Sequence, residues 1–118
     1  MQLQILHSQS VIQPYFWRVI ADNNRELAKS ETLHNKADAI SAAQTLKASA
    51  LTLRFEVFLS NSGSQPWSWR VWSTNNRILV AASETYTAYT GAQHAADVVK
   101  RGAGSAQIVD LTTAGSRI

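Results

Sequence analysis

Hydrophobic and polar residues alternate in several short runs along this chain, and that pattern is typical of half-buried β-strands. The run over residues 15–21 is also dense in aromatic and β-branched residues, which favour strands. Alternation assigns its side chains to two faces: Tyr15, Trp17 and Val19 to one, and Phe16, Arg18 and Ile20 to the other. The first run, residues 2–7, directs Leu3, Ile5 and His7 to a common side.

The same pattern predicts further elements in order along the chain. The expected strands cover residues 2–7, 15–21, 25–30, 53–59, 66–73, 77–82 and 106–111. Turns with Asn or Asp, which tolerate left-handed backbone, are expected at 22–24 and 74–76. An extra residue between Asn76 and Ser83 suggests a β-bulge there.

Two helices interrupt the strands. Asn35, with Asp38 three residues later, resembles a capping box, and the first helix is expected to end near residues 48–50. Thr90 is the expected cap of the second helix, and Gly102 its stop. The predicted buried stripes are Ala39, Ala42, Ala43 and Leu46 in the first helix, and Ala92, Ala95, Ala96 and Val99 in the second.

The segment QPYFWRV at 13–19 recurs as QPWSWRV at 65–71, an offset of 52 residues (Gln13 to Gln65). After the extra residue the offset becomes 53, since Ser30 and Glu31 recur as Ser83 and Glu84. The order of predicted elements repeats as well. We therefore interpret the chain as a duplication, with repeat one at 2–50, repeat two at 53–103 and a closing strand at 106–111.

The repeated residues fall in a recognisable order. Trp17 to Asn24, Leu27, Ser30 and Glu31 form one set, and Trp69 to Val71, Asn75, Asn76, Ser83, Glu84 and Tyr86 form the other. With its two helices and terminal strand, the chain resembles the YegP-like family of small tandem-repeat proteins, domains of unknown function. It departs from the family at the family's lysine (Ile20, Trp72), hairpin glycine (Asn24, Asn76) and helix glycine (Ala42, Ala95). The resemblance implies a β-β-β-α unit duplicated about a pseudo-twofold axis, and no activity.

The expected fold is α+β: one domain over residues 1–111, with two β-β-β-α repeats in one antiparallel sheet and both helices on one face. The closing strand protects an edge that a further repeat would otherwise cover. Residues 112–118 are expected to be a flexible tail.

Composition excludes several classes of function. The chain has no cysteine, so disulfides, thiolate catalysis and cysteine-ligated zinc are excluded. A net charge of +3 without a charged run permits a phosphate-bearing partner but falls short of the clustered charge of a dedicated nucleic-acid binder. No apolar run reaches membrane-spanning length and no secretory signal is visible, so a cytoplasmic location is expected.

Candidate chemistry is sparse. Glu31 and Glu84 could share an acid–base site, but a Ser-Glu-Thr after a strand more often supplies capping hydrogen bonds. The three histidines lie at unrelated positions without metal-ligand spacing, so no metal is expected. The glycine-containing segment 102–105 follows a helix instead of preceding one, which is the wrong order for binding phosphate. No cofactor or catalytic residue is predicted.

The face of the sheet without helices is the expected binding surface. Its candidate residues are Phe16, Arg18, Ile20, Arg70 and Trp72. Arginines among aromatic side chains suit a protein interface, or stacking and phosphate contacts with single-stranded nucleic acid. They are also compatible with a purely structural role, in which the arginine stems cover the rings. The favoured hypothesis is a non-catalytic module that binds a protein partner or itself, with nucleic-acid binding as the alternative.

Overall fold

The computed structural model describes residues 1–113 and 116–117, and in them the chain forms seven strands of four to six residues, one two-residue strand and two α-helices. The strands are β1 (Gln2–His7), β2 (Tyr15–Ile20), β3 (Glu26–Lys29), β4 (Arg54–Leu59), β5 (Trp67–Trp72), β6 (Ile78–Ala82), β7 (Gln107–Asp110) and β8 (Ser116–Arg117). The helices are α1 (Lys36–Ser49), between β3 and β4, and α2 (Tyr89–Gly102), between β6 and β7.

All strands belong to one sheet with the order β4-β5-β6-β3-β2-β1-β7-β8. Strands β1 and β7 run parallel, whereas the other neighbouring pairs are antiparallel, so the sheet is mixed and the expectation of an antiparallel sheet is wrong. The cause is the crossover through α2. This helix carries the chain from the middle of the sheet to its β1 edge, where β7 enters in the direction of β1.

The core lies between the sheet and the helices. Helix α1 packs on β1 and β2, and α2 packs on β4 and β5. Trp17 and Trp69 are both fully buried, as the alternation predicts, and they share one apolar cluster with residues of both helices. Both helices therefore lie on the same side of the sheet, and the other side carries none within the described residues.

The helix starts differ in how well sequence predicts them. The Asn35 side chain accepts a hydrogen bond from the Asp38 backbone N–H at 2.8 Å, which confirms the predicted cap of α1. The predicted cap at Thr90 is wrong, because α2 already begins at Tyr89 and its N-cap, Ala88, makes no side-chain bond. Packing explains the earlier start: the Tyr89 ring meets the Trp67 ring edge-on, with centroids 5.3 Å apart.

The C-terminal residues and the two hairpins also differ from what the sequence pattern predicts. Residues 116 and 117 pair with β7 as β8, a strand that is absent from the sequence prediction. The flexible tail predicted at 112–118 includes residues 114, 115 and 118, which lie outside the described residues. A register shift occurs in both β2–β3 and β5–β6, leaving Leu27 and Leu79 as the extra residues. Because the shift is present in both hairpins, the one-residue insertion does not cause it.

The hairpin turns place Asn24 and Asn76 in left-handed backbone, each with φ of 67°. We expect Asn24→Ala to lower the free energy of unfolding by about 1 kcal/mol and Asn24→Gly to leave it nearly unchanged. Alanine keeps the Cβ that disfavours this conformation and lacks the polar side chain by which asparagine offsets it, whereas glycine has no Cβ. Urea unfolding followed by circular dichroism measures both. The same pair of substitutions at Asn76 serves as the matched replicate, and equal stabilities of the alanine and glycine variants would contradict the argument.

Candidate functional site

Strands β2 and β5 present alternate side chains on the helix-free face of the sheet. Trp17 and Trp69 point to the core, so the neighbouring positions point away from it. Four of the five predicted site residues are partly exposed there: Phe16, Arg18, Arg70 and Trp72.

Ile20, the fifth predicted site residue, is not available at the surface. It is only 5% exposed, so its predicted exposure is wrong. Strand β2 is an interior strand, and Gln2 of β1 and Glu26 of β3 lie directly opposite Ile20. Cross-strand neighbours on both sides cover a side chain that the linear pattern leaves open.

Arg18 is held by its neighbours on the adjacent strands. Its Nε donates to Oε1 of Gln4 at 2.9 Å, and its Nη1 lies 3.5 Å from Oε1 of Glu26. The side chain of Arg18 is 32% exposed. The guanidinium therefore lies along the sheet, already opposed by a carboxylate.

Arg70 belongs to a longer arrangement on β4 and β5. Its Nε donates to Oε1 of Glu56 at 2.6 Å, and the same oxygen accepts from the Trp72 indole Nε1 at 3.0 Å. The Arg70 guanidinium lies 4.1 Å from the ring centroid of Phe58 and 5.1 Å from that of Trp72. Arg54 covers the same Trp72 ring at 4.7 Å. We call Phe58, Arg70, Trp72 and Arg54 the aromatic–arginine row.

Cation–π contacts and hydrogen bonds order this row together. Each cation–π contact contributes about 0.5–1 kcal/mol at exposed sites. Hydrogen bonds from Arg70 and from Trp72 lower the pKa of Glu56 below its ordinary value, so this carboxylate is ionised at neutral pH. The row is thus a preformed surface of rings and guanidinium planes, partly exposed and with little conformational freedom left to lose.

Sequence reasoning missed the partners that hold the arginines. Glu56 and Gln4 are 52 positions apart, the same offset that relates Arg70 and Arg18. They also lie directly opposite those arginines on the neighbouring strand. The shared offset, and for Glu56 and Arg70 the opposite charge, were the available signal, because cross-strand pairs on one face interact.

Glu31 and Glu84 do not share a site. Glu31 follows β3 and Glu84 follows β6, and these strands are antiparallel, so the carboxylates lie towards opposite ends of the pair. Glu84 accepts hydrogen bonds from Arg25, one of them from Nε at 3.2 Å, and this partner raises the pKa of Arg25.

Two further features bear on the class of site. Within residues 1–113 and 116–117, no cluster of three or more His, Asp or Glu side chains is arranged to hold a metal ion. Over that same part of the chain, neither α1 nor α2 combines the length and apolar character needed to cross a bilayer. The arrangement defines an α+β protein with a mixed sheet, two helices on one face and an ordered aromatic–arginine row on the other.

Comparison with solved structures finds the same fold elsewhere. The solution structure of yegP from E. coli, a protein of unknown function, superposes with a TM-score of 0.74 at 16% identity, covering 93% of this chain and 91% of that one. A UPF0339 protein from Shewanella oneidensis gives a TM-score of 0.74 at 15% identity, covering 93% and 90% of the two chains. Identities this low show a common fold. No protein-family profile and no curated protein sequence matches the chain.

Proposed function

We propose that this protein is a non-catalytic interaction module that binds a second copy of itself through the helix-free side of the sheet, at its β4 edge. The proposal includes the tandem β-β-β-α arrangement. Three observations support that arrangement: the order of strands and helices repeats, Trp17 and Trp69 are both fully buried, and Asn24 and Asn76 share one backbone conformation.

The observation that carries the proposal is the uncovered edge of β4. Strand β1, which occupies the position related to β4 by the offset, has its outer edge covered by β7. There Leu111 N–H donates to the Ile5 carbonyl at 2.8 Å, and Gln107 N–H donates to that of Met1 at 3.2 Å. No strand of the described residues lies beyond β4. An edge of this kind is a template for an added strand.

The alternation of hydrogen bonds along β4 shows which of its backbone N–H and C=O groups point away from β5. Ser60 N–H donates to the Pro66 carbonyl at 2.7 Å, which marks a hydrogen-bonded position between β4 and β5. Such positions alternate along an antiparallel pair. Glu56 therefore bonds to β5, whereas Phe55 and Val57 direct their N–H and C=O groups outward, where a second β4 can bond to them.

Charge selects one register for an antiparallel β4–β4 pair. When Phe55 lies opposite the partner's Phe55, Arg54 lies opposite the partner's Glu56 on the helix-free face, and the reverse contact forms by symmetry. If the pair is centred on residue 56 instead of residue 55, Glu56 lies opposite the partner's Glu56, and the two like charges repel each other. Arg54 and Phe58 belong to β4, so the favoured register continues the aromatic–arginine row across the interface.

The pairing of the arginines favours a protein over nucleic acid as the occupant of this face. Arg18 has Glu26 beside it, and Arg70 has Glu56, so a phosphate would compete with a carboxylate at each guanidinium. The surface also presents rings and stacked guanidinium groups, a composition enriched in protein interfaces. Titration with a labelled single-stranded oligonucleotide separates the two functions, because binding that weakens steeply with salt would favour nucleic acid.

Charge reversal at the proposed edge gives a sharp test. We expect sedimentation velocity to show a concentration-dependent dimer of the wild-type chain, and Arg54→Glu or Glu56→Arg to weaken it by about tenfold or more, because like charges then face each other. A mixture of the two variants is expected to restore the dimer, since its mixed pairs have opposite charges.

The control is Arg101→Glu, which makes the same charge change on the exposed side of α2 and should leave the dimer unchanged. A chain that stays monomeric at all concentrations, or a dimer indifferent to Arg54→Glu, would overturn the self-association proposal.

A further inference from the structure

A cavity of about 430 Å³ opens on the helix side of the sheet, between α1 and the turn that joins β5 to β6. Sites for small molecules typically enclose about 300–1,000 Å³. Its buried or half-buried lining is mixed: Trp17, Leu33, Ala42 and Leu79 are apolar, and Ser30, Thr45 and Ser73 are polar. Its charged lining residues, Glu31, Asp38 and Arg77, are all exposed and so lie at its mouth.

Trp17 borders this cavity, and its indole carries an unused donor. Trp17 is fully buried, and its indole Nε1 has no hydrogen-bond partner in the described chain. Buried donors are nearly always satisfied, because leaving one unbonded forfeits its bonds to water. The indole Nε1 of Trp69 is also buried without a hydrogen-bond partner, so an unbonded donor does not by itself distinguish this cavity from the related position in the second half of the chain.

The charged residues at the mouth distinguish this cavity from the related position in the other half of the chain. In the other half of the chain, Arg25 and Glu84 form an ion pair. The positions related to them by the offset are Arg77 and Glu31, which make no ion pair within residues 1–113. Both are exposed beside the cavity without an ion-pair partner in that part of the chain.

The space beside α1 is also open where its counterpart is filled. Tyr86 stands where the first half has Leu33, and Gly91 stands where it has Asp38. The Tyr86 ring lies against Gly91, with its Cδ1 3.5 Å from where a glycine Cβ would be. In the first half the smaller Leu33 stands in place of that ring, and Asp38 borders the cavity.

We propose that this cavity binds a small zwitterion with an apolar body, of which a free α-amino acid with an apolar side chain is the simplest example. The carboxylate is received by Arg77 and the ammonium by Glu31 or Asp38, while the body lies against Leu33, Ala42 and Leu79. A ligand with only one charge pairs either with Arg77 or with the carboxylates, and leaves the other group at the mouth without a partner. A purely anionic ligand also meets two carboxylates.

Nitrogen-15 NMR tests this with three probes that share one body: phenylalanine, phenethylamine without the carboxylate, and 3-phenylpropionate without the ammonium. We expect phenylalanine to shift the indole N–H signal of Trp17 saturably and to leave that of Trp69 in place. Each singly charged probe is expected to bind about tenfold more weakly, the effect of losing one charge-assisted contact.

Matched variants locate the site. Arg77→Gln is expected to weaken phenylalanine binding about tenfold, whereas Arg25→Gln, at the position related by the offset, should leave it unchanged. Equal binding of phenethylamine or 3-phenylpropionate would overturn the zwitterion assignment. Absence of any saturable shift at Trp17, or the same loss in Arg25→Gln as in Arg77→Gln, would overturn the site itself.

Discussion

Replacing Trp69 with alanine is expected to lower the free energy of unfolding by about 3–5 kcal/mol, the usual loss for a buried tryptophan. Trp69 is fully buried on β5, where α2 packs, and its ring stacks on Phe55 with centroids 6.3 Å apart. The substitution removes apolar contacts and leaves a cavity that the sheet cannot close. Since domains of this size are stable by about 5–15 kcal/mol, the loss is a large part of the total.

Urea unfolding followed by far-ultraviolet circular dichroism measures this effect without relying on tryptophan fluorescence. Trp72→Ala is the matched comparison, because Trp72 lies on the same strand but is partly exposed; we expect a loss of about 1–2 kcal/mol from its stacking and hydrogen bond. If Trp69→Ala does not fold, Trp69→Phe provides the measurement. A smaller loss at Trp69 than at Trp72 would contradict the assignment of faces.

The second large effect is expected at Asp110, which ties β7 to the start of α1. The carboxylate is 3% exposed, and it accepts hydrogen bonds from Lys36 Nζ at 2.9 Å and from the Thr112 backbone N–H at 2.9 Å. Burial by itself raises the pKa of Asp110, but hydrogen bonds from Thr112 and Lys36 outweigh it and lower the pKa to about 2. We expect Asp110→Asn to cost about 1.5–3 kcal/mol at neutral pH, the range for hydrogen bonds to a charged group.

This contribution depends on pH in a defined direction. The folded pKa of about 2 lies below the ordinary value of 3.8, so the stabilisation is fully present above about pH 4 and is lost as pH falls towards 2. The difference in unfolding free energy between wild type and Asp110→Asn should therefore shrink over that window. Asp97→Asn, on α2, is the control for charge removal. A wild-type advantage that stays constant down to pH 2 would contradict the linkage.

Much of this fold follows from local patterns. Alternation alone assigns Trp17 and Val19 to the core and Arg18 to the opposite face, and all three assignments agree with the observed burial. The cap at Asn35 is equally local, because it involves one side chain and a backbone N–H three residues away. These features are predictable because the groups that decide them are neighbours in the sequence.

The candidate site was predictable only in part. The alternation indicated the surface that carries Arg18 and Arg70, but it gave no account of their ion-pair partners. Those partners lie on neighbouring strands, and only the pairing register brings them within reach. His7 shows the same limit: it was expected inside with Leu3, yet it is exposed at the end of β1, where the inward side of the strand is no longer covered.

By itself, the sequence of this protein determined the order of the seven longer strands and the two helices, the two asparagine turns, and which side of most elements is apolar. Tertiary structure alone decides that β7 runs parallel to β1, that β4 is left uncovered, and that a cavity opens beside Trp17. The physical reason is the range of the interactions. Periodicity and capping depend on neighbouring residues, whereas strand order, edge protection and cavity shape depend on how α1 and α2 return the chain to the sheet.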